Sequence, residues 1–253
     1  MVYSLCLSCT QREKDMAVAE LYEAGTLGVI EEDLPDGRCR LQAFFGEEAP
    51  EEAADWVRAA QSQWQPVVIG ERWFLSPAWH DGATPPGRLR LVMPPGSASG
   101  TGLHPSTQAA LEAMERVVRA GDVVLDLGTG SGILAAAARL LDASAAISCD
   151  IDEDAARAAR EYCGEAAAVF AGSARSLRDG WADVVVANIH AAAIAGLAGE
   201  IVRMLKPGGR AILSGFTSQD AEGVARAVQG AGLAIAESIS RDEWTALIAG
   251  REN

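Results

Sequence analysis

From Gly100 to the C-terminus, short apolar runs alternate with stretches in which apolar residues recur at helical spacing. That alternation predicts strands and helices taking turns in a doubly wound α/β sheet. Buried strands are predicted at Val123–Leu125, Ala145–Cys149, Ala167–Phe170, Asp183–Ala187 and Ala211–Leu213. Helices are predicted over Pro105–Arg119, Ile133–Leu141, Glu153–Cys163, Ala192–Leu205 and Gln219–Ala231, with a turn at Lys206–Gly209. Two last apolar runs, Leu233–Ala236 and Trp244–Ala249, lie close enough to pair antiparallel.

The first part of the chain has a different rhythm. Strands are predicted at Val2–Ser8, Leu27–Glu31, Cys39–Phe45 and Val67–Ile69, and helices at Glu13–Ala24 and Glu51–Trp64. The order β-α-β-β-α-β is that of a small ferredoxin-like α+β module. Five prolines between Ser76 and Pro95 and little helical pattern mark a connection. The predicted organisation is a small N-terminal domain over residues 1–75, including a connecting helix at 51–64, a Pro/Gly-rich connection at 76–100, and a larger domain at 101–253.

Composition narrows the function. No apolar run approaches the roughly 18 residues of a membrane span, and no basic flank with an apolar block opens the chain, so a cytoplasmic protein without membrane contact is expected. Five cysteines at 6, 9, 39, 149 and 163 do not form a disulfide pattern. Cys6 and Cys9 are a Cys-x-x-Cys on a predicted strand, where residues three apart face opposite ways, and His80, His104 and His190 lack ligand spacing; no metal site is expected. Net charge is −14, and residues 1–65 hold 13 acids against 5 bases. Such a surface repels phosphate, which argues against a direct grip on nucleic acid and suits a basic protein partner equally well as simple solubility.

The chemistry centres on Asp126–Gly132, Asp-Leu-Gly-Thr-Gly-Ser-Gly, between a predicted strand and helix. A dinucleotide fingerprint would place its third glycine at position 133, which is Ile133; here it is Gly132. An acid two residues before the first glycine, with glycines Gly128, Gly130 and Gly132 at every second position, resembles motif I of the class I methyltransferases. The resemblance implies S-adenosylmethionine lying against bare backbone, with Asp126 ordering the turn. Asp150, 22 residues after Gly128 at a strand end, is placed to accept from ribose hydroxyls. Asp152 is better placed as the cap of the helix that begins at Glu153.

Two further segments, Gly100–Thr107 (Gly-Thr-Gly-Leu-His-Pro-Ser-Thr) and Asp183–Ile189 (Asp-Val-Val-Val-Ala-Asn-Ile), add detail. With Ile69–Trp79 and the pair Glu243, Trp244, they resemble the ribosomal protein L11 methyltransferase (PrmA) family over nearly the whole chain. The resemblance implies a seven-stranded Rossmann-like catalytic domain, a small N-terminal domain that holds the protein substrate, and lysine side chains or a terminal amine of a large-subunit ribosomal protein as acceptors. It carries cofactor contacts to Thr107, Gly128, Asp150 and Asn188. Ser99, Ser106 and His190 depart from the family pattern; His190 either alters which amine is accepted or caps the following helix. For transfer, the amine must be neutral and aligned, which Asn188 can arrange by accepting its hydrogens. His104 is the other candidate catalytic group, with capping of the helix at Pro105 as its plain alternative.

Overall fold

The structure is a computed structural model that describes residues 3–10, 14, 21, 26, 28–34, 37–45, 65–77, 80–93 and 102–251. The chain divides into two compact units, residues 1–65 and 66–253.

In the first unit, β1 (Tyr3–Thr10), β2 (Gly28–Asp33) and β3 (Arg38–Phe45) form a sheet in the order β1-β3-β2. Both outer strands are antiparallel to β3, so β1 and β2 run the same way with β3 inserted between them, a split β-α-β arrangement. Lys14 and Leu21 are helical between β1 and β2, where a crossover helix was predicted; the rest of that helix, and all of the one predicted at 51–64, lie outside the described residues. Cys39, Leu41 and Ala43 alternate along β3 onto one fully buried face with Cys9 and Leu21, the period-two pattern of a half-covered sheet.

The strand predicted as fourth in this sheet, β4 (Val67–Ile69), belongs to the second unit instead. It pairs antiparallel with β5 (Trp73–Ser76), and β5 pairs parallel with β6 (Leu89–Val92), inside the stretch read from its prolines as a connection. Prolines flank β6 rather than interrupt it, which is why it survives there. This small sheet is bonded to α1 (Pro105–Val117): the Trp73 indole donates to the Leu111 carbonyl at 2.7 Å, and the Glu115 carboxylate accepts from Glu71 N–H and Arg72 N–H, each at 2.9 Å. The middle and last turn of α1 are thereby fixed to the small sheet.

That sheet has seven strands: β7 (Val123–Leu127), β8 (Ala145–Asp150), β9 (Ala168–Ala171), β10 (Ala182–Asn188), β11 (Leu205–Thr217), β12 (Leu233–Arg241) and β13 (Trp244–Arg251). Their order is β12-β13-β11-β10-β7-β8-β9, parallel from β11 to β9, with β13 antiparallel to both β11 and β12. The predicted turn at Lys206–Gly209 lies within β11. Leu205 pairs with Ala182 and Arg210 with Val184, so the four residues between bulge out of the ladder. Helices α2 (Ile133–Leu140), α3 (Glu153–Cys163), α4 (Ala191–Met204) and α5 (Ala221–Gly230) complete the alternation. Leu125, Val185, Leu213 and Ile201 are fully buried between the sheet and its helices. The chain reverses its direction of growth between β7 and β10, and ligands of such sheets bind outside the carboxyl ends of the strands at that switch. No helix among the described residues is long and apolar enough to cross a membrane.

Candidate functional site

At this switch point lies a cavity of about 800 Å3, lined in part by Thr107, Gly128, Gly130, Asn188 and Trp244. The turn after β7 is held from beneath. Asp126 is buried and accepts a hydrogen bond from the Thr129 hydroxyl at 2.6 Å, while the amides of Gly128 and Thr129 donate to the Cys149 carbonyl of β8 at 2.9 and 3.1 Å. Burial pushes the Asp126 carboxyl up to about 6, against the bond from Thr129 and a backbone amide that favour its charged form. Asp126 is thus a support of the turn, and its side chain lies under the loop.

The three glycines of the turn have separate uses. At Gly128, with φ of +73°, a Cβ would stand 2.4 Å from the Ile189 side chain, so this glycine lets the β7 and β10 ends approach each other. At Gly130 a Cβ would meet nothing within 4 Å, and the residue opens onto the cavity. Gly132, expected among the cofactor contacts, also packs against α3: a Cβ there would lie 2.8 Å from Cys163 Sγ and 3.2 Å from Ala159. It caps the start of α2 and allows the two helices to pack closely, a use of a third glycine known from dinucleotide folds.

Asp150 ends β8 with both carboxylate oxygens aimed at backbone. One accepts from Gly130 N–H at 2.9 Å and the other from Asp152 N–H at 3.1 Å, which fixes the carboxylate beside the loop with lone pairs remaining on each oxygen. Asp152 caps α3, accepting from Asp154 N–H at 2.8 Å. Ile151, between them, is 83 % exposed, an apolar side chain held at the mouth of the sheet that its residue type alone did not single out. An aliphatic residue two positions before a helix cap is a weak signal, and only its exposure marks it.

Asn188 ends β10. Its Nδ2 donates to the Thr107 hydroxyl at 3.0 Å, which fixes which way the amide points and leaves Oδ1 buried without a hydrogen-bond partner. A buried acceptor left open costs about 1–3 kcal/mol, and such an atom in a cavity wall points to a donor on a ligand. The two histidines beside it both cap helices. His104 accepts from Ser106 N–H at 3.3 Å at the start of α1, and His190 accepts from Ala193 N–H at 3.2 Å at the start of α4. The cap fully accounts for His190 Nδ1, and it likewise engages His104 Nδ1.

Gly215, which carried no motif, is required for this geometry. Its φ is +92°, and a Cβ would stand 2.6–2.8 Å from the backbone of Ile189. Gly215→Ala is expected to cost about 2 kcal/mol through left-handed strain and displacement of the Asn188–Ile189 turn, read as a lower urea midpoint together with weakened cofactor binding.

This arrangement has known relatives. The ribosomal protein L11 methyltransferase (PrmA) family model matches residues 40–252. The chain belongs to this family. Proteins named ribosomal protein L11 methyltransferase are 44 % identical over 175 residues in Burkholderia vietnamiensis, covering 69 % of this chain and 58 % of that protein, and 36 % identical over 201 residues in Symbiobacterium thermophilum, covering 78 % and 66 %. The chain therefore matches about three fifths of the length of the first of these relatives. The crystal structure of a ribosomal protein L11 methylase from Lactobacillus delbrueckii subsp. bulgaricus superimposes with a TM-score of 0.66 at 27 % identity, covering 75 % of this chain and 99 % of that one. Family membership agrees with a class I methyltransferase sheet whose glycine turn, Asp150 and Asn188 converge at one end.

Proposed function

We propose that the chain transfers methyl groups from S-adenosylmethionine to lysine side chains, and to a terminal amine, of ribosomal protein L11. The observation that carries the reading is the amide of Asn188, held by Thr107 so that its carbonyl oxygen is buried and open. The cofactor suits the residues around it. Gly130 leaves backbone bare toward the cavity, the Asp150 carboxylate is fixed beside it for ribose hydroxyls, and exposed Ile151 offers an apolar surface to a flat base. When bound, S-adenosylmethionine supplies a methyl group on a positively charged sulfur, open to in-line displacement.

The protein's task is to present an amine with a free lone pair. A lysine amine is protonated in water near its reference pKa of about 10.4, and a cavity that strips water from it lowers that value. Asn188 Oδ1 accepts one amine hydrogen and so orients the nitrogen, while the bond from Asn188 to Thr107 keeps the oxygen in place during approach. The acidic N-terminal unit, residues 1–65, serves as the hold on the basic protein substrate, and a ribosomal substrate suits a cytoplasmic enzyme.

Incubation with methyl-labelled cofactor and purified L11 tests the reading. Label on L11, mapped to amines by mass spectrometry, is the expected result. Label that appears on other lysate proteins and never on L11 removes the substrate, and absence of cofactor binding by calorimetry removes the activity.

A further inference from the structure

Trp244 lines the same cavity as Asn188, His190 and Gly215, yet none of the steps above uses it. Its surroundings are unusually well braced for a residue at a hairpin. The Ser218 amide donates to the Glu243 carbonyl at 2.7 Å, and the Ser218 hydroxyl lies 3.2 Å from that carbonyl and 3.0 Å from the Thr245 hydroxyl. The residues on both sides of Trp244 are therefore tied to Ser218, just past the end of β11. The ring is held in turn by His104, with ring centroids 4.5 Å apart and planes at 73° in an edge-to-face contact. His104 itself is fixed by its bond to the start of α1.

We propose that Trp244 is the specificity wall for the acceptor, an indole face that receives the aliphatic stem and the methylated ammonium of a lysine side chain. The inference rests on the proposed amine methylation and deepens it. A braced aromatic ring in the same cavity as an open amide oxygen suits a group that is apolar along its length and cationic at its tip, because the stem packs on the ring and the cation is drawn to the ring's negative face. Each added methyl group makes the acceptor nitrogen less able to donate hydrogen bonds to Asn188. An aromatic surface compensates, since it holds a methylated cation without needing its hydrogens. Each transfer breaks the S–CH3 bond and forms an N–CH3 bond, leaving S-adenosylhomocysteine and an ammonium that must give its proton to solvent before it can attack again. A wall that keeps the side chain in place while the proton leaves and the cofactor is exchanged favours repeated transfer to one nitrogen over release after the first.

The test compares wild type, Trp244→Phe and Trp244→Leu in three readouts: calorimetric Kd for S-adenosylmethionine, KM for L11, and the methylation state of each acceptor by intact mass. Trp244→Leu is expected to raise KM for L11 about tenfold and to shift products toward monomethyl amines, with cofactor Kd within about twofold of wild type. Trp244→Phe keeps an aromatic face and is expected to retain most of the multiply methylated product. Unchanged KM and product states in Trp244→Leu overturn the proposal, as does an equal loss of cofactor affinity, which would assign the ring to the cofactor. Wild type that leaves L11 unlabelled overturns the parent reading instead, so the two failures are separable.

Discussion

Asn188→Ala is expected to lower methyl transfer about a hundredfold to a thousandfold while the variant still folds and still binds S-adenosylmethionine. The size follows from removing a single pre-oriented polar group aimed at the reacting atoms, which in other enzymes costs 10²–10³ in turnover. The loss should fall on kcat more than on KM, since the amide aligns the amine at the moment of attack and contributes little to the rest of the protein substrate. Truncation also leaves the buried Thr107 hydroxyl without the donor it now has at 3.0 Å, a cost to stability of about 1 kcal/mol. Thr107→Val separates the two effects: the amide stays, but nothing fixes its orientation, and activity should lie between wild type and Asn188→Ala. Single-turnover rates with labelled cofactor, beside urea unfolding, check this. An Asn188→Ala enzyme within a few-fold of wild type would remove the residue from the chemistry.

Much of this site was readable because its residues sit where local rules and tertiary structure agree. Helix α3 runs Glu153–Cys163 as predicted, since Asp152 is a strong cap and Gly164 follows its last residue. The ends of β7, β8 and β10 fall at Asp126, Asp150 and Asn188 or within a residue of them, where apolar runs meet polar residues. What was hidden depends on partners distant in sequence. Gly132 looks like its neighbours in the turn, yet α3, more than twenty residues later, gives it a packing use that the turn alone does not show. Gly215 has no pattern around it, and only the Ile189 backbone against it shows why a side chain is excluded. The strand Leu89–Val92 is too short and too close to proline to stand out, and it exists because β5 offers a parallel edge. Val67–Ile69 reads correctly as a strand, but strand character says nothing about which sheet it joins, and its partner Trp73–Ser76 drew it into the second unit.

The carboxyl of Asp126 ties stability to pH. Its folded-state value is about 6 against an ordinary 3.8, with burial as the largest cause. Between those two values the folded protein holds a proton on Asp126 that the unfolded chain has released, so the contribution of this group to stability declines as pH rises. At 1.36 kcal/mol per pH unit the full window amounts to about 3 kcal/mol, present below pH 3.8 and lost above pH 6. Asp126→Asn has no proton to lose. Its stability relative to wild type should therefore improve by about 2–3 kcal/mol between pH 4 and pH 7.5, whatever the fixed cost of exchanging the carboxyl for an amide. Urea midpoints for both proteins at the two pH values give the comparison directly, because charges common to both cancel. Thr129 donates to the carboxylate at 2.6 Å and so anchors the turn that opens at Gly130, and a neutral amide would keep an acceptor for that hydroxyl but with a weaker bond. A difference between the two proteins that stays constant from pH 4 to pH 7.5 would mean that Asp126 titrates in the folded protein as it does in the unfolded chain, and that the turn rests on a charged carboxylate at neutral pH.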